Sequence, residues 1–210
     1  IGPATRAIMV VHYAGKPVDI DSLRQFKLPI IEDAAHAVDS FYKGKHCGNL
    51  GDVGIFSFDA VKNLTTGEGG GLVTQSPELF QHAKNLRYCG IAKSGYEAST
   101  VKKRWWEYQV NDPFPKMLNS DLAAAIGVAQ LRRLRALQEK RKGLWDQFSE
   151  RIENQSWARS WLICPPGPAK DETHSYFTYF VRLKFGSRDQ LAEYLFGQGI
   201  YTSLRYHPLH

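Results

Sequence analysis

The chain has 210 residues, a net charge of +6, 43% hydrophobic and 12% aromatic residues. That length and apolar content support a packed core and exclude a disordered chain, and no apolar run approaches the roughly 20 residues that span a bilayer. The positive charge suits phosphate-bearing small molecules as well as nucleic acid, but the densest basic run, RRLRALQEKRK at 132–142, has helical character and no zinc-finger or RNA-recognition signature beside it, and it reads as a solvated helix face.

In chain order, AIMVVH at 7–12 is a short apolar, β-branched run that predicts a strand. DIDSLRQF follows, with an acidic start and helical spacing of Ile20, Leu23 and Phe26. LPIIED at 28–33 predicts a second buried strand ending in carboxylates. Strand, helix and strand in that order indicate a right-handed βαβ unit and a parallel sheet. GDVGIFSF at 51–58 and GGLVT at 70–74 are two further strands, and PELFQHAKNLRYCG is a helix with Pro77 at its start and Gly90 closing it.

The segment 95–116 is irregular and aromatic, and reads as an ordered loop. Ser120 or Asp121 then caps a long helix, and after a break at 165–167 HSYFTYFVRLKF predicts a strand, SRDQLAEYLFGQG a helix and YTSLRYHP another strand. The fold class expected is α/β: a mainly parallel sheet with flanking helices over residues 1–130, plus a smaller α+β domain over 131–210. The chain enters on a strand and stops just after another, so it reads as truncated at both ends. Cys47, Cys89 and Cys164 match no zinc or disulfide pattern, a usage expected of a reducing cytoplasm. Trp105, Trp106, Trp157 and Trp161 read as packing residues.

Three residues share one rim of the expected sheet. Asp33 ends the second strand, Ser57 ends the third, and Lys62 follows in the loop that leaves the same edge, where ligands of open α/β sheets bind. Glu32 points to the opposite face from Asp33. A Walker-type phosphate loop has its glycines before the lysine and opens a helix, whereas here GEGGG follows Lys62 and leads into a strand, so that reading fails. No G-x-G-x-x-G opens a helix either. An amine, a carboxylate and a hydroxyl at one rim suit pyridoxal phosphate: a Schiff-base lysine, a partner for the pyridine nitrogen and a phosphate contact. A helix-capping aspartate and a solvated surface lysine remain the alternative reading of the same residues.

EDAAHAV at 32–38, YKGKHCGNLGDVGIFSF at 42–58 and KNLTTGEGG at 62–70 resemble the sugar-nucleotide aminotransferases of the DegT/StrS type, dimeric pyridoxal-phosphate enzymes with the aspartate aminotransferase fold. The likeness continues through AIMVVHYAGKPVDIDSL at 7–23, SDLAAAIGVAQL at 120–131 and GIYTSLRYHPLH at 199–210. The resemblance implies that Lys62 is the Schiff-base lysine, that Asp33 faces the pyridine nitrogen, that His36 lies next to the phenolic oxygen of the cofactor and that Ser57 touches its phosphate. It implies that Lys116 reaches the phosphate of the other subunit's cofactor, and that His207 and His210 approach the sugar nucleotide. Relatives with histidine at the Lys62 position dehydrate a sugar, so lysine favours transamination. Asp39 stands where many relatives have glycine, and an aspartate tolerates the left-handed backbone such a turn requires. The N-terminal phosphate-binding turn and ring-stacking aromatic of the family are absent from these 210 residues. The resemblance thus implies transamination of a nucleotide-linked keto-sugar, glutamate as amino donor, a cytoplasmic homodimer with a shared active site, and no nucleic-acid or membrane partner. A non-catalytic relative of the same fold is the competing reading.

Overall fold

The computed structural model describes residues 1–91, 106–108, 110, 112–204 and 206. Packing divides the chain into two compact units, one of Ile1–Gly143 with Gly167–Thr178 and one of Leu144–Pro166 with Tyr179–His210. In chain order the strands are β1 (Ile8–Val11), β2 (Ile30–Asp33), β3 (Phe41–Tyr42), β4 (Lys45–His46), β5 (Val53–Ser57), β6 (Gly70–Thr74), β7 (Leu162–Ile163), β8 (Glu172–Thr173) and β9 (Arg182–Leu183). The helices are α1 (Pro77–Leu86), α2 (Asp121–Glu153), α3 (Ser156–Trp161) and α4 (Arg188–Gly197).

The first unit is built on a four-stranded sheet of order β1-β2-β5-β6. β1, β2 and β5 run parallel, with Val10 opposite Glu32 and Asp33 opposite Ile55. β6 runs antiparallel to β5, so the sheet is mainly parallel, as expected, with one antiparallel edge strand. The physical reason is local. A parallel return needs a crossover, usually a helix, whereas here residues 58–69 fold back as a loop whose two ends meet, the Phe58 N–H donating to the Gly69 carbonyl at 2.8 Å.

Alternation along β2 decides which residue faces what. Ile30 and Glu32 are buried and Ile31 and Asp33 are half-buried on the other face, which also carries the exposed Met9 and Val11. The core against the buried face is Val10, Ile20, Ile30, Ala34, Ala37, Cys47 and Leu50. Cys47 has no solvent access, and burial, helped by the negative charges of Glu32 and Glu172, pushes its thiol up to about 12, which makes it inert.

Glu32 is the polar centre of this core. It is fully buried, and one carboxylate oxygen accepts from His12 Nε2 and the Gly48 N–H, both at 2.8 Å. The other accepts from the N–H groups of Leu50 and Gly51, at 2.7 and 2.5 Å. His12 Nδ1 accepts from the Val18 N–H at 3.0 Å, which leaves the ring proton on Nε2, facing the carboxylate. The loop so held crosses β5 where Gly54 stands, and a Cβ at Gly54 would lie 1.8 Å from the Gly48 carbonyl oxygen.

Other expectations need correction. Residues 21–26 form a 3-10 turn rather than an α-helix, with Ile20 buried at its start. The expected strand over 174–185 shrinks to β9, because the N–H groups of Ser175 and Phe177 donate to the carbonyls of Gly15 and Ala14 instead of to a strand. Residues 201–204 form no strand. Trp157 and Trp106 are each 62% exposed and so are not packing residues; Trp105, and most of the 95–116 loop, lie outside the described residues. The cap at Ser120 follows expectation, its Oγ accepting from the Ala123 N–H, and α1 is capped by Ser76, whose Oγ accepts from the Leu79 N–H.

The second unit comprises the end of α2, α3, α4 and the antiparallel pair β7–β9. Trp145 is buried and meets the Tyr179 ring edge-on at 4.8 Å, and the Tyr179 hydroxyl pairs with Ser149 at 3.1 Å. Among the described residues no helix is long and apolar enough to cross a membrane.

The Glu32 network generates a prediction with a pH signature. Burial alone would raise the Glu32 carboxyl, but the His12 hydrogen bond and the N–H groups of Gly51, Gly48 and Leu50 outweigh it and hold the carboxyl below its usual value. Its stabilisation is therefore fully present above the unfolded carboxyl value of about 4.3 and is lost as pH falls through the lower folded one. Glu32→Gln keeps the volume but turns an NH2 group towards N–H donors, and should cost about 3 to 5 kcal/mol in urea unfolding at neutral pH. It should also remove this part of the acid limb. A variant with the wild-type midpoint and acid profile contradicts the account.

Candidate active site

Asp33 is the last residue of β2, and its Oδ1 accepts from the Ala35 N–H at 3.0 Å, a turn that starts the next segment. Its Oδ2 carries no hydrogen bond among the described residues. Ala34 and Ala37, both with no solvent access, let the chain wind tightly over the sheet edge, with the Ala34 N–H bonded to the Ile55 carbonyl at 2.8 Å. Asp39 closes this turn at φ 69°, in the left-handed region, as its position beside a glycine-type turn leads one to expect. Burial raises the Asp39 carboxyl, against the pull of His46 and Arg135.

His36 sits in this turn, 8% exposed. Its Nδ1 accepts from the Ala14 N–H at 3.3 Å, so the proton of the neutral ring lies on Nε2. The His36 ring stacks on Phe177 at 4.1 Å and 20°, and Tyr13 meets it edge-on at 5.8 Å.

Ser57 ends β5, and its Oγ accepts from the Asp59 N–H at 3.3 Å. Asp59 then anchors the turn that carries the lysine: its side chain accepts from the Val61 N–H and its carbonyl from the Lys62 N–H, both at 3.0 Å. Lys62 Nζ lies 5.0 Å from the centroid of the Phe177 ring and has no hydrogen bond or ion pair among the described residues. Beyond it the loop closes on itself, with the Thr66 N–H bonded to the Phe58 carbonyl at 2.9 Å and Gly67 at φ 83°.

Asn63, 6% exposed, turns inwards from the same loop. Its Nδ2 donates to the Ser175 carbonyl at 2.7 Å and to Gln138 Oε1 at 3.1 Å. Gln138, on α2, donates in turn to the Ser175 carbonyl at 3.1 Å. The buried Asn63 Oδ1 has no partner among the described residues. The Ser175 carbonyl accepts from both amides, which fixes the side on which each amide presents its NH2 group.

The structure thus brings Lys62 and His36 onto one ring and sets Asp33 and Ser57 at adjacent strand ends. Lys116 bridges Tyr88 through the backbone, with Nζ 5.9 Å from the Tyr88 ring, and among the described residues none of its contacts reaches the other four. His207 and His210 lie outside the described residues. Phe177, Asn63 and Gln138 escaped the sequence reading. Asn63 had a faint signal as an amide flanking a loop lysine; Phe177 had none, being one of several aromatics in a stretch with strand periodicity. Among the described residues no cluster of histidine, cysteine, aspartate or glutamate is arranged to hold a metal.

Comparison with known proteins places these residues in context. The signature of the DegT/DnrJ/EryC1/StrS aminotransferase family matches residues 1–210. The chain is 36% identical to the dTDP-4-dehydro-2,3,6-trideoxy-D-glucose 4-aminotransferase of Saccharopolyspora spinosa, covering 100% of this chain and 55% of that protein. Among solved structures it is similar to the aminotransferase TlmJ of Streptoalloteichus hindustanus, with 38% identity and a TM-score of 0.88 over 100% of this chain and 55% of that one. It is also similar to the Streptococcus pneumoniae protein Spr1654, solved in a PLP form at 28% identity and TM-score 0.85, and in a PMP form at 29% and 0.86; all of this chain matches 56% and 58% of those chains. The chain therefore spans about half the length of the curated relatives it matches.

The clamp around Ser175 is open to measurement. Asn63→Ala removes two hydrogen bonds from a buried site and leaves Gln138 Oε1 without its donor, which should cost about 1 to 3 kcal/mol. Urea unfolding checks it, and an unchanged midpoint would show that the clamp adds nothing.

Proposed function

Because the chain belongs to the DegT/DnrJ/EryC1/StrS aminotransferase family, we propose that the full-length protein is a pyridoxal-phosphate-dependent aminotransferase that converts a nucleotide-linked keto-sugar to an amino sugar. Glutamate is the amino donor in this reading, and the enzyme works in the cytoplasm as a homodimer with a shared active site. The sugar-nucleotide assignment is drawn from the Saccharopolyspora spinosa relative, whose name is that of an aminotransferase for a dTDP-linked 4-dehydro sugar.

One observation carries the reading. β2 and β5 lie side by side in parallel and end in Asp33 and Ser57, and the chain leaves that same edge into the turn bearing Lys62, an amine with no ion-pair partner among the described residues. The donor set fits the cofactor. Asp33 keeps one carboxylate oxygen uncommitted, and a carboxylate opposite a pyridine nitrogen keeps it protonated. Ser57 offers a hydroxyl for the phosphate, and Lys116 of a second subunit a positive charge for it. His36, with its ring proton on Nε2, offers a donor to the phenolic oxygen. Bound pyridoxal phosphate would supply an electron sink for the carbon that loses its proton. Lys62 Nζ would hold that cofactor through its aldehyde and, when free, would be the amine able to move a proton at the reacting carbon. An amine paired with a carboxylate would be held as an ammonium and poorly suited to either task.

The test is spectroscopic. Full-length protein mixed with pyridoxal phosphate should develop a protein-bound chromophore distinct from the free cofactor, and Lys62→Ala should abolish it. A variant that keeps the wild-type chromophore removes Lys62 from this role.

A further inference from the structure

We propose that Phe177 is the positioning residue for the Lys62 amine, with Asn63 and Ser175 fixing the base of the same side chain; the proposal rests on the role assigned to Lys62 above. A lysine has a long flexible stem, and an amine that joins and leaves a partner in each cycle must return each time to one place. Three kinds of anchor can hold it: a carboxylate, a carbonyl or the face of an aromatic ring. A carboxylate favours the ammonium and removes the nucleophile. A ring face attracts the cation through its quadrupole more weakly than a carboxylate does, so it locates the amine while favouring the ammonium far less.

The structure offers the third kind. Lys62 Nζ lies 5.0 Å from the Phe177 centroid and has no hydrogen bond or ion pair among the described residues. The base of the side chain is tied to the same segment. Asn63, the next residue, donates to the Ser175 carbonyl at 2.7 Å across 112 residues of sequence. Ser175 is itself tied down by contacts: its Oγ donates to the His36 carbonyl at 2.5 Å, and a Cβ at Gly15 would lie 2.0 Å from that Oγ. The Phe177 N–H is bonded to the Ala14 carbonyl at 3.1 Å. Both ends of Lys62 are therefore referred to residues 175–177. Because His36 stacks on the Phe177 ring at 4.1 Å, that ring also sets where the amine stands relative to the imidazole.

The experiment uses full-length protein freed of cofactor, and the variants Phe177→Leu, which keeps an apolar side chain without a ring, and Phe177→Tyr, which keeps the ring. Each is mixed with pyridoxal phosphate and quenched with borohydride, and cofactor on the Lys62 peptide is counted by mass spectrometry. The capture joins Nζ to the aldehyde carbon with loss of water, and borohydride reduces the product to a stable amine. Phe177→Leu should slow capture about tenfold while Phe177→Tyr stays within about twofold of wild type. Affinity for pyridoxamine phosphate, which cannot condense with a lysine, should be unchanged in both, as a general loss of structure would not allow. Equal capture rates in wild type and Phe177→Leu overturn the proposal, as does a Phe177→Tyr as slow as Phe177→Leu. Wild-type protein that captures nothing on Lys62 overturns the reading of the lysine itself, and the proposal with it. If a variant does not fold, the wild type decides: the Lys62 ε-methylene NMR signal, assigned by its loss in Lys62→Arg, should be displaced upfield by the Phe177 ring current, and an undisplaced signal overturns the proposal.

Discussion

A carboxylate sealed from solvent organises the first unit. Glu32 would be costly to bury alone, and it is tolerated because His12 and three backbone N–H groups surround it. Those bonds reach in two directions. Through His12, itself bonded to the Val18 N–H, they hold the turn that carries Tyr13, Ala14 and Gly15. Through Gly48, Leu50 and Gly51 they hold the loop that lies against β5 so closely that only glycine fits at position 54. Successive residues of a strand face opposite ways, so fixing Glu32 inward fixes Asp33 outward, at the rim where Ser57 and the Lys62 turn also stand.

The second constraint is the cluster that gathers around Ser175. Asn63, Gln138, His36 and Gly15 all meet this one residue, by hydrogen bonds or by close approach. Its effect is to bring an aromatic side chain from late in the chain up to a lysine and a histidine from the early part. Electrostatics and packing act together here. Among the described residues the site keeps its amine without an ion pair, and the partner shown is a ring.

Much of this was legible in the sequence, for identifiable reasons. The runs IMVV, IIED and VGIFS are apolar, β-branched and bounded by turn residues, and each forms a strand within a residue or two of its expected bounds. The order of Asp33, Ser57 and Lys62 along consecutive strand ends was readable because parallel strands in one sheet share a carboxyl edge. The direction of β6 was not readable, because an apolar run of GGLVT serves equally in either direction and only the tight closure of the 58–69 loop decides it. HSYFTYFV misled for a related reason. Its buried residues, His174 and Ser175, are neighbours rather than alternate positions, and its backbone bonds to the turn at Ala14 and Gly15. Long-range contacts such as Asn63 to Ser175, 112 residues apart, leave no periodic trace at all.

The central claim is that Asp33 and Lys62 serve one cofactor from one sheet edge. The most direct measurement is the 15N chemical shift of the pyridine nitrogen in isotopically labelled pyridoxal phosphate bound to the full-length protein, in wild type and in Asp33→Asn. The account predicts a protonated nitrogen in the wild type and loss of that proton in Asp33→Asn, with the cofactor still attached at Lys62. A nitrogen that is unprotonated in the wild type, or that keeps its proton in the variant, would contradict it.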